Sequence, residues 1–330
     1  MTIWLWIGFI VFVLFMMALD LGVLNRKAHA IGIKEALGWT SFWVSLALLF
    51  NVGIYFIYEN HWLGIGEGAG HVSDGKTAAL YFFTAYIVEE SLSLDNLFVF
   101  TLIFSYFQIP PMYQHRVLFW GILGVLILRG IMIAAGVVLI QRFDWIIYVF
   151  GAILLFTAFK MLIHQHDKIN PEKNILYRLA KKLYPITPHL EGNHFFSTLN
   201  GRRAITPMFL VLILVESSDV LFAVDSIPAV FAVTSDPFIV FTSNVFAILG
   251  LRSLYFAIAA ILNRFRYLKI CLVILLAYVG VKMLLSHHYP IPAHISLMVI
   301  GGILGTGILA SILVSKREAK QLEIPFSHEN

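Results

Sequence analysis

Successive apolar stretches, each about as long as a membrane-crossing helix, dominate this 330-residue chain. A helix needs about twenty apolar residues to cross a bilayer. Windows of this kind predict nine spans, at 4–24, 36–58, 77–105, 114–140, 144–163, 206–232, 238–262, 267–285 and 292–315. Only 13% of the residues are charged, whereas an ordinary soluble domain carries about 25%. The sequence therefore predicts an all-α, polytopic membrane protein with about nine transmembrane helices.

The basic residues predict the orientation of these spans, because Lys and Arg are retained on the cytoplasmic side of a membrane. They fall in every second connection and leave the alternate connections acidic or nearly uncharged. The connection after the fifth span carries Lys168, Lys173, Arg178, Lys181, Lys182, Arg202 and Arg203. We expect the N-terminus to be periplasmic and the C-terminus cytoplasmic. Because the basic residues sit in loops and form no patch on a soluble face, no nucleic-acid partner is expected.

Two segments of the chain share a pattern of polar residues. The sequence DNLFVF, which starts at Asp95, aligns with DVLFAV, which starts at Asp219, and this alignment places Arg129 on Arg252. Each copy holds three predicted spans, an odd number, so the second copy must be inserted upside down relative to the first. We expect an inverted 3+3 repeat, an architecture whose substrate site lies near the bilayer midplane.

The repeat divides one transmembrane domain into five parts. These are two N-terminal helices (1–76), the first repeat (77–163), a cytoplasmic linker (164–205), the second repeat (206–285), and the last helix with the tail (286–330). In the linker, the apolar spacing over 172–184 predicts a short basic helix on the inner leaflet, and Asn200-Gly201 predicts a hairpin. Lys160 and Lys282, which the repeat alignment also pairs, are expected to be anchors at the membrane interface.

Acidic residues stand in the middle of predicted spans in both repeats. They are Glu89, Glu90, Asp95, Glu216, Asp219 and Asp225. A central charge costs about 2.5–3.5 kcal/mol of insertion free energy, so six uncompensated carboxylates would cost on the order of 15–20 kcal/mol. Arg129 and Arg252 also fall mid-span and can offset two of them. The remaining deficit predicts a site that holds either protons or a bound cation.

The candidate ligands of this site all offer hard oxygen atoms. They are Glu89, Asp95, Asn96, Glu216, Asp219 and Asp225. Such oxygens suit Mn²⁺, Mg²⁺ or Ca²⁺, and the residue types alone do not separate these ions. The single cysteine, Cys271, excludes a thiolate cluster and an intramolecular disulfide. Asn244 is either a further ligand or an interhelical hydrogen-bond partner, and Asp20 either contacts metal or reaches water.

A kinked or broken helix is expected over 224–228. Glu216 and Asp219 share a helix face, but Asp225 lies six residues further on and points elsewhere on a straight helix. Pro228 also removes one amide donor from the helix. A break would expose carbonyl oxygens beside Asp225.

Two motifs resemble the TerC family of bacterial membrane proteins, and its Alx branch in particular. They are ESLSLDNLFVF at 90–100 and LVESSDVLFAVDSIPAVFAV at 214–233, and the likeness extends from Asp20 to the last span. The resemblance implies a transporter, not an enzyme, that exports Mn²⁺ across the inner membrane and has no resident cofactor. It also implies metal binding by Glu89, Asp95, Glu216, Asp219 and Asp225, whereas Glu90 falls outside the family's acidic positions.

Other functions would leave different marks on the sequence. An intramembrane protease is disfavoured, because the GIGEG run lies in a predicted outer loop and HExxH is absent. A scaffold for a metal or tellurite stress complex would not need central carboxylates. An exporter of basic amino acids could use the same carboxylates but would need an apolar pocket for the organic part of its substrate. For a metal exporter we expect alternating access between the two halves, with returning protons as a candidate driving force.

Overall fold

The computed structural model describes residues 3–19, 32–66, 72, 74–163, 171–199, 201–259, 268–286, 288–289 and 291–322. These residues form ten α-helices and one two-stranded hairpin. The helices are α1 (Ile3–Leu19), α2 (Ile33–Glu59), α3 (Gly75–Tyr106), α4 (Pro111–Arg142), α5 (Ile146–Ile163), α6 (Ile175–Leu183), α7 (Pro207–Phe231), α8 (Pro237–Ala259), α9 (Leu268–Leu285) and α10 (Ala293–Leu322). The strands are β1 (Phe196–Leu199) and β2 (Arg202–Ile205).

Each predicted span overlaps one long helix of the described residues. Six of these helices, α2, α4, α5, α7, α8 and α10, are long and apolar enough to cross a membrane, and α1 and α9 are shorter apolar helices. Helix α3 has 32 residues and carries acidic residues near its middle. The all-α, polytopic class is confirmed, whereas the count of nine spans stays a prediction.

Local sequence signals fix where several of these helices begin. Pro111, Pro207 and Pro237 are the first residues of α4, α7 and α8. At that position the missing amide hydrogen costs no helical hydrogen bond. The side chain of Asp74 accepts a hydrogen bond of 2.7 Å from the backbone amide of Thr77 and so caps α3.

The helices of the two predicted repeats pack on each other in matching pairs. Between the two repeats, the most extensive packing joins α5 to α9, α3 to α8 and α4 to α7, and further contacts join α3 to α7 and α4 to α8. Exchanging the first repeat (α3, α4, α5) for the second (α7, α8, α9) leaves this set of pairs unchanged. An internal two-fold axis would require this invariance, although the inverted repeat itself stays a prediction.

The predicted break in α7 is wrong. This helix runs without interruption from Pro207 to Phe231 and contains Pro228 in its last turn. At that position the missing donor affects only the end of the helix. One unbroken helix can carry both Asp219 and Asp225, because the two side chains point in different directions and belong to different sites.

The two features predicted in the linker are present. Helix α6 lies inside the predicted range 172–184, and the side chain of Asn174 caps it by accepting a hydrogen bond from the amide of Tyr177. Strands β1 and β2 pair antiparallel with Leu199 opposite Arg202, which confirms the hairpin. Asn200, residues 164–170 and Asp20 lie outside the described residues.

Candidate cation site

Helices α3 and α7 each carry two acidic residues six positions apart, Glu89 and Asp95 on α3 and Asp219 and Asp225 on α7. Six residues correspond to about 600° of rotation around a helix, which turns the second side chain well away from the first. One member of each pair lies in a buried ion-pair network, and the other lines a cavity. The two helices therefore contribute to two neighbouring sites.

The buried network is centred on Arg129 of α4. Its Nε and Nη2 atoms donate to the two carboxylate oxygens of Asp219 at 3.0 and 3.1 Å. Its Nη1 atom donates to Glu89 and, at 2.8 Å, to the side-chain oxygen of Asn244 on α8. Asn244 in turn donates to the second oxygen of Glu89 at 3.1 Å. A planar guanidinium suits this two-pronged pairing, and the network ties four helices together.

These pairings stabilise the fold because the paired groups are buried, where a charge without a partner is costly. The side chains of Glu89, Arg129, Asp219 and Asn244 are each at most 2% exposed. Arg129 therefore acts as the counter-ion of Glu89 and Asp219, and Asn244 acts as an interhelical hydrogen-bond partner. These are the structural alternatives to direct metal binding by the same residues.

The second members of the two acidic pairs line a cavity of about 660 Å³ between α3, α5, α7 and α9. Its polar wall consists of Asp95, Asn96, Thr157, Lys160, Asp225 and Ser226. Thr157 donates a hydrogen bond of 2.7 Å to the carboxylate of Asp225. The rest of the wall is apolar and includes Phe156 and Leu221, which are 68% and 67% exposed. The cavity therefore reaches the side of the helix bundle.

Asn96 connects the cavity to the network. Its side chain lines the cavity, and its Nδ2 atom lies 3.4 Å from the Oδ1 atom of Asp219, which Arg129 also contacts. This hydrogen bond from Asn96 to Asp219 therefore links the cavity directly to the buried ion pairs.

Two further glutamates pack against glycines beside the network. The Glu216 carboxylate lies directly against Gly124 of α4, where a Cβ atom would overlap it. Glu90 lies near Gly250 of α8. The Oε2 atom of each glutamate is buried and has no hydrogen-bond partner among the described residues. Gly124 therefore leaves room for the Glu216 carboxylate, which a larger residue would displace, whereas a Cβ atom at Gly250 would lie 3.8 Å from Glu90.

The six predicted ligands are thus distributed over three places. Asp95, Asn96 and Asp225 share the cavity, Glu89 and Asp219 share Arg129, and Glu216 lies against Gly124. Among the described residues, no three His, Cys, Asp or Glu side chains form a group that could hold a metal ion. The assignment of all six to one metal site stays a prediction.

Sequence reasoning missed two polar residues of the cavity wall, Thr157 and Lys160. They lie three residues apart on α5 and therefore share a helix face. Lys160, which the sequence predicts to be an anchor at the membrane interface, also lines the cavity. The available signal was this i, i+3 pair of polar residues within an otherwise apolar helix.

The fold and these two sites define a polytopic α-helical membrane protein with ion pairs buried between its helices and an acidic cavity beside them. The chain belongs to the integral membrane protein TerC family, whose sequence pattern matches residues 74–319. The resemblance inferred from the two acidic motifs is therefore confirmed.

Several relatives share nearly the whole chain. An uncharacterized membrane protein of Myxococcus xanthus, STKORF319, is 51% identical over 94% of this chain and 93% of its own length. A Salmonella typhi protein named provisionally as a membrane-bound redox modulator, Alx, is 46% identical over 96% of this chain and 97% of its own. An uncharacterized membrane protein of Rickettsia bellii is 40% identical over 93% of this chain and 97% of its own. No solved structure matches the chain.

Proposed function

We propose that this protein exports divalent cations, with Mn²⁺ as the first candidate, through the cavity that contains Asp95 and Asp225. The observation that carries the proposal is the origin of these two carboxylates. One comes from each predicted repeat, both line the same cavity, and they are close enough for their charges to interact. Inverted-repeat transporters bind their substrates at such an interface between repeats.

The chemistry of the cavity suits a hard cation. Carboxylates of Asp95 and Asp225, the amide oxygen of Asn96 and the hydroxyls of Thr157 and Ser226 are all oxygen donors. Mn²⁺, Mg²⁺ and Ca²⁺ prefer this ligand type. A divalent ion between two carboxylates would also remove their mutual repulsion.

Binding of a cation in the cavity would act on the packing of α3 and α7. Asp95 and Asp225 lie on α3 and α7, and these same helices are joined through Arg129 by Glu89 and Asp219. Neutralising the cavity carboxylates favours a closer approach of α3 and α7, while the Arg129 network keeps each helix paired with the opposite repeat. Alternating access would follow from rocking of one half against the other, with proton return to the acidic groups as a candidate driving force.

The proposal is tested by Mn²⁺ flux into vesicles that contain the purified protein and a dye quenched by Mn²⁺. Asp95→Asn and Asp225→Asn keep the shape of each side chain and remove its charge, so we expect each variant to lose at least about tenfold in initial rate. Asp144→Asn, at an exposed position between α4 and α5, is the matched control. Unchanged flux in both cavity variants would refute the proposal.

A second candidate substrate is a basic amino acid, because the cavity is larger than a metal ion requires. Its volume of about 660 Å³ and its apolar wall, which includes Leu92, Phe222 and Met161, could accommodate an organic part. Adding lysine or arginine to the Mn²⁺ assay separates the two substrates. Competition by these amino acids at concentrations comparable with Mn²⁺ would favour the organic cation.

The names of the Alx relatives suggest a redox role, and the cysteine content of this chain limits what such a role could be. Cys271 is the single cysteine of the sequence, and it is buried. One chain therefore cannot form or exchange an internal disulfide. Any contribution to redox balance would be indirect, through the ion that the protein moves.

A further inference from the structure

The cavity contains a positive charge of its own, on Lys160 of α5. Lys160 lies on the same wall as Asp225 and interacts electrostatically with its carboxylate. Thr157, one turn earlier on the same helix face, donates its hydroxyl to that carboxylate at 2.7 Å. Helix α5 thus presents both a hydrogen bond and a charge to Asp225.

Lys160 is the one basic residue among the described residues that line the cavity. Arg129, the nearby buried cation, is committed to Glu89 and Asp219. Lys160 is also exposed, and it carries its ammonium group at the end of a long, flexible side chain. The cavity therefore combines two carboxylates with one ammonium that is tethered to the wall by a flexible side chain.

We infer that Lys160 is an internal competitor of the transported ion, which pairs with the cavity carboxylates between transport cycles and is displaced by a divalent cation. This inference rests on the proposed function. With Asp95 and Asp225 at −1 each and Lys160 at +1, the cavity carries a net charge of −1. A divalent ion that replaces the ammonium makes the carboxylate pair neutral, whereas one added beside it leaves an excess of +1.

Competition by the tethered ammonium of Lys160 would also make the cavity select divalent over monovalent ions. A monovalent ion that displaces the ammonium exchanges one unit charge for another, and it must compete with a group held at high effective concentration. A divalent ion interacts about twice as strongly with each carboxylate at the same distance. Selectivity thus arises from a competitor that only the divalent ion overcomes.

The test uses the full-length protein in detergent and the electron paramagnetic resonance signal of free Mn²⁺ to measure binding. Lys160→Met removes the competitor, so we expect Mn²⁺ to bind about tenfold tighter, the size of one partly screened charge interaction of about 1.4 kcal/mol. We also expect Na⁺ and K⁺ to displace Mn²⁺ from Lys160→Met at concentrations that leave the wild type unaffected. Lys160→Arg should behave like the wild type.

Lys282→Met is the matched control, because Lys282 is the partner of Lys160 in the repeat alignment and is not among the described residues that line the cavity. A purely structural role for Lys160 would weaken Mn²⁺ binding, not tighten it. Unchanged or weaker binding in Lys160→Met, with binding intact in the wild type, overturns this inference and leaves the proposed function standing. No Mn²⁺ binding by the wild type overturns both.

Discussion

At the scale of single residues, Arg129 has the greatest consequence for folding because it compensates two buried carboxylates from two helices. Removing one partner of a buried ion pair commonly costs about 3–5 kcal/mol, because the other charge stays buried without compensation. We therefore expect Arg129→Met to lower the free energy of unfolding by at least about 3 kcal/mol. Thermal unfolding of the purified protein in detergent measures this loss.

Arg142→Met provides the control for Arg129→Met. Arg142 ends the same helix, α4, and is exposed, so its loss should leave the melting temperature nearly unchanged. A second check combines Arg129→Met with Asp219→Asn, which removes one of the two stranded charges. If the double variant is no more stable than Arg129→Met alone, the network does not work through charge compensation.

The sequence identifies which residues need compensation but not how they are paired. Charge within apolar segments predicts that Arg129 neutralises acidic residues, and it does. Its partners Glu89 and Asp219 lie 40 and 90 positions away in the chain, and no local pattern connects residues so far apart. The free-energy cost of burying a charge also does not depend on where the side chain points. From that cost alone, six ligands are therefore predicted to share one site, although the rotation of the helices places them in separate places.

At the scale of helices, α5 and α9 approach each other closely through Gly151 and Gly280. A Cβ atom on Gly280 would lie 3.0 Å from the carbonyl oxygen of Gly151, and one on Gly151 would lie 3.1 Å from that of Gly280. Small residues allow this kind of backbone approach between membrane helices. We expect Gly280→Val to destabilise the protein by about 1–3 kcal/mol through overpacking.

The control for Gly280→Val is Gly302→Val on α10, where a Cβ atom would meet nothing within 4 Å. The two variants add the same side chain to glycines inside helices, so the intrinsic effect of valine on a helix cancels. Melting temperatures in detergent provide the comparison. Equal melting temperatures for the two variants would mean that α5 and α9 can separate without cost.

Helix α6 presents an apolar stripe that its packing on α7 does not cover. Tyr177 and Ala180 are buried, whereas Ile175, Leu176, Leu179 and Leu183 are between 49% and 71% exposed. Basic side chains of Arg178 and Lys182 flank this stripe on the helix. An interfacial helix has this character, with apolar residues among the lipid chains and basic residues among anionic headgroups.

A fluorescent label placed on α6 tests this membrane contact. In a Cys271→Ser background, we expect a label at Leu179→Cys to be quenched by nitroxide lipids in anionic vesicles. A label at Lys181→Cys, on the opposite side of the helix, should be quenched much less. Equal quenching at the two positions would place the stripe away from the bilayer.

At the scale of the whole molecule, hydropathy predicts the helices better than it predicts their arrangement. Nine apolar windows locate the long helices, because hydropathy depends on residues close in sequence. The pairing of α5 with α9 and of α3 with α8 depends on shape and on interhelical contacts, which have no counterpart in one sequence. The expected break in α7 was wrong for a similar reason, since two separate sites accommodate its acidic residues along one uninterrupted helix.

The orientation of the helices relative to the membrane can be tested, because several helix ends lie together at one end of the molecule. The start of α3, the end of α4, the start of α5 and the end of α7 line one cavity of about 570 Å³, represented by Thr77, Ile140, Ile147 and Phe231. Two helix starts and two helix ends meet at one place only when successive helices alternate in direction. The distribution of basic residues predicts that this end of the molecule is periplasmic and that the linker between α5 and α7 is cytoplasmic.

Accessible cysteines in a Cys271→Ser background distinguish the two ends. Ser235→Cys lies in the connection between α7 and α8 and lines this cavity, and Thr198→Cys lies in β1 of the linker; both positions are exposed. In cells with a permeabilised outer membrane, we expect a membrane-impermeant thiol reagent to label Ser235→Cys. Thr198→Cys should react only after the inner membrane is also opened. The reverse pattern would invert the molecule, and an inverted molecule would present its basic linker and α6 to the periplasm, against the charge rule that predicted the orientation.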